Sequence, residues 1–378
     1  MELFHKILNA AVEGGASDVH IKPDAPVVYR ISSQLVEAEM SQQPDEQWLG
    51  NVIDNIVPTQ FKPKLDEDRE IDFSYHVPGI GRFRTNCFQH LGKWCLAMRY
   101  VVAKVPKIDS LGLPEIIKSI AEEHRGIVLV AGTTGCGKST TLAGMIDHIN
   151  STQKRHIITI EDPVEYVFKD KNCIIEQREV GLDTPSYQHS LKHVMRQDPD
   201  VIMVGEIRDP ETADISIQAA LTGHLVFSTV HTNDAAGAIT RLLDMGVENF
   251  LISSALLAVL AQRLVRVICP DCKEEAPLTP TLKTEMGLLH KENIKVYHGK
   301  GCKACSQTGF KGRCGIYELL VIDDSIRELI LKKSTAQTIC DQAREQGMRT
   351  LREDGWDKVV KGITTVEEIL RVTLNDRN

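Results

Sequence analysis

The stretch Gly126-Ile127-Val128-Leu129-Val130-Ala131-Gly132-Thr133-Thr134-Gly135-Cys136-Gly137-Lys138-Ser139 decides the fold. Its apolar half reads as a buried strand, and its glycine-rich half has the spacing of a phosphate-binding loop. Thr140-Thr141-Leu142-Ala143-Gly144-Met145-Ile146 follows with a helical pattern, so the loop joins a strand to a helix N-terminus. The chemistry requires this arrangement. Glycines let backbone N–H groups turn inward around phosphates, the helix end adds partial positive charge, Lys138 reaches the β- and γ-phosphates, and the Ser139 hydroxyl ligates Mg²⁺. Gly132 to Ser139, with Thr140, are the expected contacts of ATP, and Cys136 is read as a loop position whose side chain is incidental.

Apolar runs continue on the C-terminal side at His156-Ile157-Ile158-Thr159-Ile160, Val201-Ile202-Met203-Val204 and Leu225-Val226-Phe227-Ser228-Thr229-Val230. Separated by helical patterns, they predict the buried strands of an α/β sheet. The run from Val201 ends in Gly205-Glu206-Ile207-Arg208-Asp209. Ligands gather at the carboxyl ends of parallel strands, so Glu206 is expected to face the phosphates and to orient or deprotonate the attacking water. Glycine and glutamate replace the usual metal-linked aspartate, which suggests that Glu206 combines both roles. The preceding unit ends in Glu161-Asp162-Pro163-Val164-Glu165, whose carboxylates can hold Mg²⁺ through water or polarise the nucleophile. Nothing ranks Glu161 against Glu165, and Asp162-Pro163 equally suits a helix N-cap with proline in the first turn. His224 and His231 flank the run from Leu225 to Val230 and are read as sensors of the γ-phosphate.

The N-terminal part differs. A first helix and short alternating strands around Val27–Ile31, Ile71–Tyr75 and Cys95–Val101 predict a small α+β domain over 1–101, a linker over 102–112, and the ATP-binding domain over 113–378. The segment 320–378 reads as helices. At 378 residues the chain exceeds one ordinary hydrophobic core. No apolar run reaches the length of a membrane span, and the amphipathic start is unlike a secretory signal, so a cytoplasmic place is expected. A net charge of −8 with pI near 5.9 argues against a nucleic-acid-gripping surface.

Cys269-Pro270-Asp271-Cys272 and Cys302-Lys303-Ala304-Cys305 form two C-x-x-C turns. Four thiolates at this spacing suit tetrahedral Zn²⁺ in a closed, structural site over 266–316, with a dithiol redox switch as the alternative.

Together the phosphate loop, the acidic block from Ile160 to Glu165, the block from Arg196 to Asp209 and the histidine block from Thr222 to Ala235 resemble the secretion ATPase family. That family powers type II secretion and type IV pilus assembly and retraction. The resemblance extends from Ala16-Ser17-Asp18-Val19-His20-Ile21 to about residue 320. It implies a homohexamer of two-domain subunits, a PAS-like first domain, a RecA-like ATPase core, and an inner-membrane platform protein as partner, through which alone the chain meets the membrane. It also implies that arginines of the first domain reach the phosphates. Arg84 and Arg99 match family positions, Arg82 is a weaker third, and Arg30 is read as structural. Ile31-Ser32-Ser33-Gln34 departs from the family's usual aspartate-glycine hairpin.

The four-cysteine module resembles the assembly and secretion branch, whereas the direct start on the two-domain core and Cys173-Ile174-Ile175-Glu176-Gln177-Arg178-Glu179-Val180-Gly181 are closer to the retraction branch. The cysteine module is the more specific clue. Two rival classes are a RecA-like nucleic-acid translocase, disfavoured by the acidic balance, and a non-catalytic scaffold, disfavoured by the intact Lys138, Ser139 and Glu206.

Overall fold

A computed structural model describes residues 1–31, 34–40, 43–101, 105–277, 283, 286 and 295–373. Ser32 and Ser33 of the departing hairpin and residues 102–104 of the expected linker lie outside the described residues.

The chain divides into two compact units, 1–105 with 162–167 and 179–185, and 106–161 with 168–178 and 186–378. The two short excursions of the later chain into the first unit have no counterpart in the sequence reading, which placed one boundary at 102–112.

In the first unit, α1 (Glu2–Glu13) buries Phe4, Ile7, Leu8 and Ala11, the single stripe that helical spacing of apolar residues produces. The helix α2 (Glu46–Ile56), capped by the Asp45 carboxylate, buries Leu49, Val52, Ile53 and Ile56 in the same way. A shorter α3 (Lys62–Asp68) follows. The strands β1 (Ala16–Ile21), β2 (Val28–Ile31), β3 (Gln34–Glu37), β4 (Glu70–Val77), β5 (Gly81–His90) and β6 (Lys93–Val101) form one sheet in the order β3-β2-β1-β6-β5-β4. All its pairings are antiparallel, and its buried face joins the two long helices in one core.

The second unit opens with α4 (Ile116–Ala121) and is built on β7 (Gly126–Ala131), β8 (His156–Glu161), β9 (Ile174–Glu179), β10 (Val201–Val204), β11 (Leu225–Val230), β12 (Leu256–Ile268) and a late antiparallel strand. Between them run α5 (Lys138–Thr152), α6 (Tyr187–Val194), α7 (Pro210–Leu221), α8 (Ala235–Asp244) and α9 (Asn249–Ala255). A small hairpin, β13 (Lys273–Ala276) with β14 (Val296–Gly299), precedes the late strand, β15 (Phe310–Val321). The sheet order is β15-β12-β7-β11-β10-β8-β9. The pairings β12 to β7, β7 to β11, β11 to β10 and β10 to β8 are parallel, so these strands deliver their carboxyl ends to one edge. Helices on the faces bury the central strands on both sides, and every residue of β7, β10 and β11 is buried.

Four helices follow β15 among the described residues: α10 (Asp324–Leu331), α11 (Ala336–Glu345), α12 (Leu351–Val360) and α13 (Val366–Thr373). Glu368 of α13 is 1% exposed and anchors this region to β12, accepting from the Arg266 N–H and guanidinium and from Arg371. No helix among the described residues is long and apolar enough to cross a membrane.

Candidate active site

The phosphate loop leaves the carboxyl end of β7. Gly132 and Gly137 have φ of 151° and 94°, and a Cβ on Gly132 would meet the Cys136 Sγ at 2.5 Å and the Gln262 carbonyl at 2.7 Å. Only glycine permits so tight a turn. Gly137 caps α5 with no side-chain acceptor, which leaves the helix's first N–H groups for an anion. Lys138 is 9% exposed, and its Nζ donates to the carbonyls of Gly132 at 2.8 Å and Thr133 at 3.2 Å. A phosphate oxygen is a stronger acceptor than these neutral carbonyls. Ser139 and Thr140 are half-buried in the first turn of α5, and Thr133, Thr134 and Gly135 are exposed on the loop's crest. The Cys136 side chain is not incidental. It is 4% exposed, packs beneath Gly132, and burial pushes its thiol up, away from ionisation.

Glu206 follows β10 on the same edge of the sheet. Its carboxylate meets Arg208 Nε at 2.5 Å and His231 Nε2 at 3.4 Å. The loop is pinned to β11 because Thr229 Oγ1 donates to the Gly205 carbonyl and the Ile207 N–H to that of Thr229. Gly205 has a steric reason: a Cβ there would stand 2.8 Å from the Tyr187 hydroxyl oxygen.

β11 lies between β7 and β10, so His231, just past its end, falls between the phosphate loop and Glu206. His224 does not join them. It precedes β11, at the opposite edge of the sheet and roughly 20 Å of strand from His231, and its Nδ1 lies 2.9 Å from the Ala219 carbonyl.

Glu161 ends β8 beside Gly205, whose N–H donates to the Ile160 carbonyl. It is 7% exposed, and its Oε1 accepts from Thr159 Oγ1 at 2.7 Å and Gln177 Nε2 at 3.0 Å. Glu165 is exposed and belongs to an excursion that clusters with the first unit. The geometry thus brings Glu161 next to the Glu206 strand. No helix starts at Asp162-Pro163; the chain there is irregular and the peptide bond is cis.

One supporting residue escaped the sequence reading. Gln262 of β12 is 2% exposed; its Nε2 donates to the Cys136 carbonyl and its Oε1 accepts from Thr141, both at 2.8 Å, bracing loop and helix from the neighbouring strand. The Gln262-Arg263 pair that interrupts the apolar run from Leu256 to Val265 was its one visible signal.

In the first unit, Arg84 and Arg99 are exposed on β5 and β6, and Arg99 Nε donates to Asp18 at 2.8 Å. Arg82 is ion-paired with the buried Glu179, whose carboxylate also accepts from the Val164 N–H. Arg30 lies 3.7 Å from Asp18, in a structural pairing.

The four cysteine sulfurs of the two C-x-x-C turns lie within 4.8 Å of one another. Cys269 to Cys302 and Cys272 to Cys305 are 3.9 Å, and Cys302 to Cys305 is 3.7 Å. Zinc–sulfur bonds of about 2.3 Å in a tetrahedron require edges of about 3.8 Å, whereas a disulfide needs sulfurs at about 2.05 Å. The cluster therefore fits Zn²⁺. Burial opposes ionisation of Cys305, but N–H donors from Cys302 and Gly309 prevail and hold its thiol at about 6.

A phosphate loop on β7 and a carboxylate past β10, with β11 inserted between, give the sheet a P-loop nucleotide-binding architecture. A sequence profile of the family described as type II/IV secretion system protein matches residues 1–371, and the chain belongs to that family. It is 38% identical over 397 residues to the type II secretion system ATPase E of Vibrio cholerae, covering 99% of this chain and 75% of the relative. It is 48% identical over 276 residues to the type IV pilus assembly ATPase PilB of Thermus thermophilus, covering 71% of this chain and 31% of the relative. A crystal structure of the pilus retraction motor PilT with bound ADP superposes with a TM-score of 0.81 at 34% identity, covering 97% of this chain and 96% of that one. Against the type II secretion system protein E of Aeromonas hydrophila the chain spans about half of the relative's length, 51%.

Proposed function

We propose that the chain is the motor of a type IV pilus or type II secretion machine, turning ATP hydrolysis into fibre assembly. The observation that carries this reading is the convergence of Lys138, His231 and Glu206 from adjacent strand ends on one edge of a parallel sheet.

In this reading the loop's N–H groups and Lys138 hold the phosphates, and the Ser139 hydroxyl and Glu161 hold Mg²⁺, Glu161 through water. Mg²⁺ held there would supply positive charge against the charge that develops on the phosphoryl group. Glu206 orients the attacking water and accepts its proton; Arg208 and His231 fix the direction of its carboxylate. His231 also reports the γ-phosphate. Arg84 and Arg99 supply positive charge to the transferring phosphoryl group. His224, at the far edge, has no part in this scheme.

The chain works as a homohexamer on the cytoplasmic face of the inner membrane, with a membrane platform protein receiving the force. Zn²⁺ holds the four-cysteine module together and takes no part in hydrolysis. That module favours the assembly and secretion branch, and the likeness to PilT supports retraction as the second reading. Deleting the chain's gene separates them: loss of fibres or of secretion fits assembly, and excess, unretracted fibres would mean retraction.

A further inference from the structure

Arg263 is a buried cation with no counter-ion among the described residues. It sits on β12 next to Gln262 and is 7% exposed. Its Nη1 donates to the Gln262 carbonyl at 3.4 Å, and its Nη2 to the Asn233 carbonyl and Asn233 Oδ1 at 3.1 and 3.0 Å. All three acceptors are neutral, and no carboxylate of the described residues is ion-paired with it. An ionised group removed from water without an opposite charge is expensive, and arginine does not shed its proton to escape the cost.

The surroundings name the missing anion. β12 runs parallel to β7 with Ala261 beside Ala131, so Gln262 and Arg263 continue past that pair where the phosphate loop begins. A Cβ on Gly132 would stand 3.3 Å from Arg263 Nη1. At its other end the guanidinium holds Asn233, two residues beyond His231 in the loop that follows β11. One planar fork thus holds the loop carrying His231 and lies against the start of the phosphate loop. A strut alone needs donors but no net charge. Here the charge is full, desolvated and beside a loop built for phosphates.

We propose that Arg263 is a positioning residue for a nucleoside polyphosphate: the ligand's charge completes the unpaired guanidinium, and the fork couples phosphate occupancy to the loop bearing Asn233 and His231. This rests on the nucleotide-site reading above. A desolvated charge partner contributes more to affinity than a surface one, because low local polarity strengthens the attraction.

The test uses the full chain with ADP and Mg²⁺ as the probe, and two variants. Arg263→Gln keeps an N–H donor for Asn233 but loses the charge; Arg263→Lys keeps the charge but loses the fork. Calorimetry gives ADP affinity and its salt dependence, thermal unfolding gives the stability of the nucleotide-free protein, and hydrogen exchange reports on residues 231–235. The expected result for Arg263→Gln is unchanged or raised melting without nucleotide and ADP affinity lower by about tenfold to a hundredfold, with a shallower salt dependence. Arg263→Lys should bind ADP within about threefold of wild type, since the charge remains, and lose the slowing of exchange at 231–235 that ADP produces in wild type. Wild-type ADP affinity in Arg263→Gln overturns the proposal and leaves Arg263 a strut. If that variant does not fold, Arg263→Lys decides: loss of binding despite the retained charge overturns the proposal, and retained affinity with uncoupled exchange supports it. Failure of the wild type itself to bind ADP would be a different result, removing the nucleotide site altogether.

Discussion

Arg84 and Arg99 stand directly opposite each other on the antiparallel strands β5 and β6, and both are exposed. Like charges in that position destabilise a sheet. Asp18 offsets Arg99 by accepting a 2.8 Å hydrogen bond from its Nε, but the Arg84 side chain has no hydrogen-bond or ion-pair partner among the described residues. A cationic pair kept at such a position suits a surface that meets an anion.

Removing either arginine should therefore cost activity far more than stability. Arg84→Ala is expected to melt at or slightly above the wild-type temperature while ATP turnover falls, by up to about a thousandfold, as for a lost arginine finger. Arg99→Ala should lose turnover similarly, with a small stability loss because Asp18 then keeps Arg30, at 3.7 Å, as its ion-pair partner but loses the closer one. Phosphate release and thermal unfolding on both variants check this; normal turnover in both assigns the pair to surface electrostatics, where each contact contributes under about 1 kcal/mol.

The sulfur tetrahedron predicts one zinc per chain. Cys302→Ser should lose the metal and unfold the module between β12 and β15 at lower temperature, because a structural site's binding energy is folding energy. Elemental analysis of purified protein checks it. Absence of zinc with four titratable thiols would leave the cluster a dithiol pair.

Glu368 predicts an acid limb of stability. Burial works to raise its pKa, but hydrogen bonds from Arg371 and Arg266 prevail and hold the carboxyl at about 2, against 4.5 for a free glutamate. Because the folded pKa is the lower one, the stabilisation is complete above about pH 4.5 and is lost as pH falls towards 2. In Glu368→Gln that part of the pH dependence should vanish. At neutral pH the variant should be less stable by about 2 kcal/mol, a figure discounted because both arginines are half-exposed. An unchanged acid limb would assign it to other carboxylates.

The parts of this architecture that were legible in sequence are those buried on both faces. β7, β10 and β11 coincide with apolar runs because a strand covered on both sides has no polar positions to interrupt it. β12 was not singled out, since an apolar run of that length suits a buried helix equally. His224 and His231 looked equivalent because flanking a strand is symmetric in sequence; only the parallel sheet makes one strand end the site and the other the opposite edge. The roles of Gln262 and Arg263 arise from contacts between β12 and the loops after β7 and β11, which leave no periodic trace. The excursions 162–167 and 179–185 escaped notice for the same reason.

The central claim is that ATP is hydrolysed at the sheet edge that carries both Lys138 and Glu206. The measurement that tests it most directly is nucleotide binding and phosphate release, side by side, for wild type and Glu206→Gln. Loss of the group that orients and deprotonates water should lower turnover by about a hundredfold or more while ATP affinity stays near that of wild type. Wild-type turnover in Glu206→Gln would contradict the account.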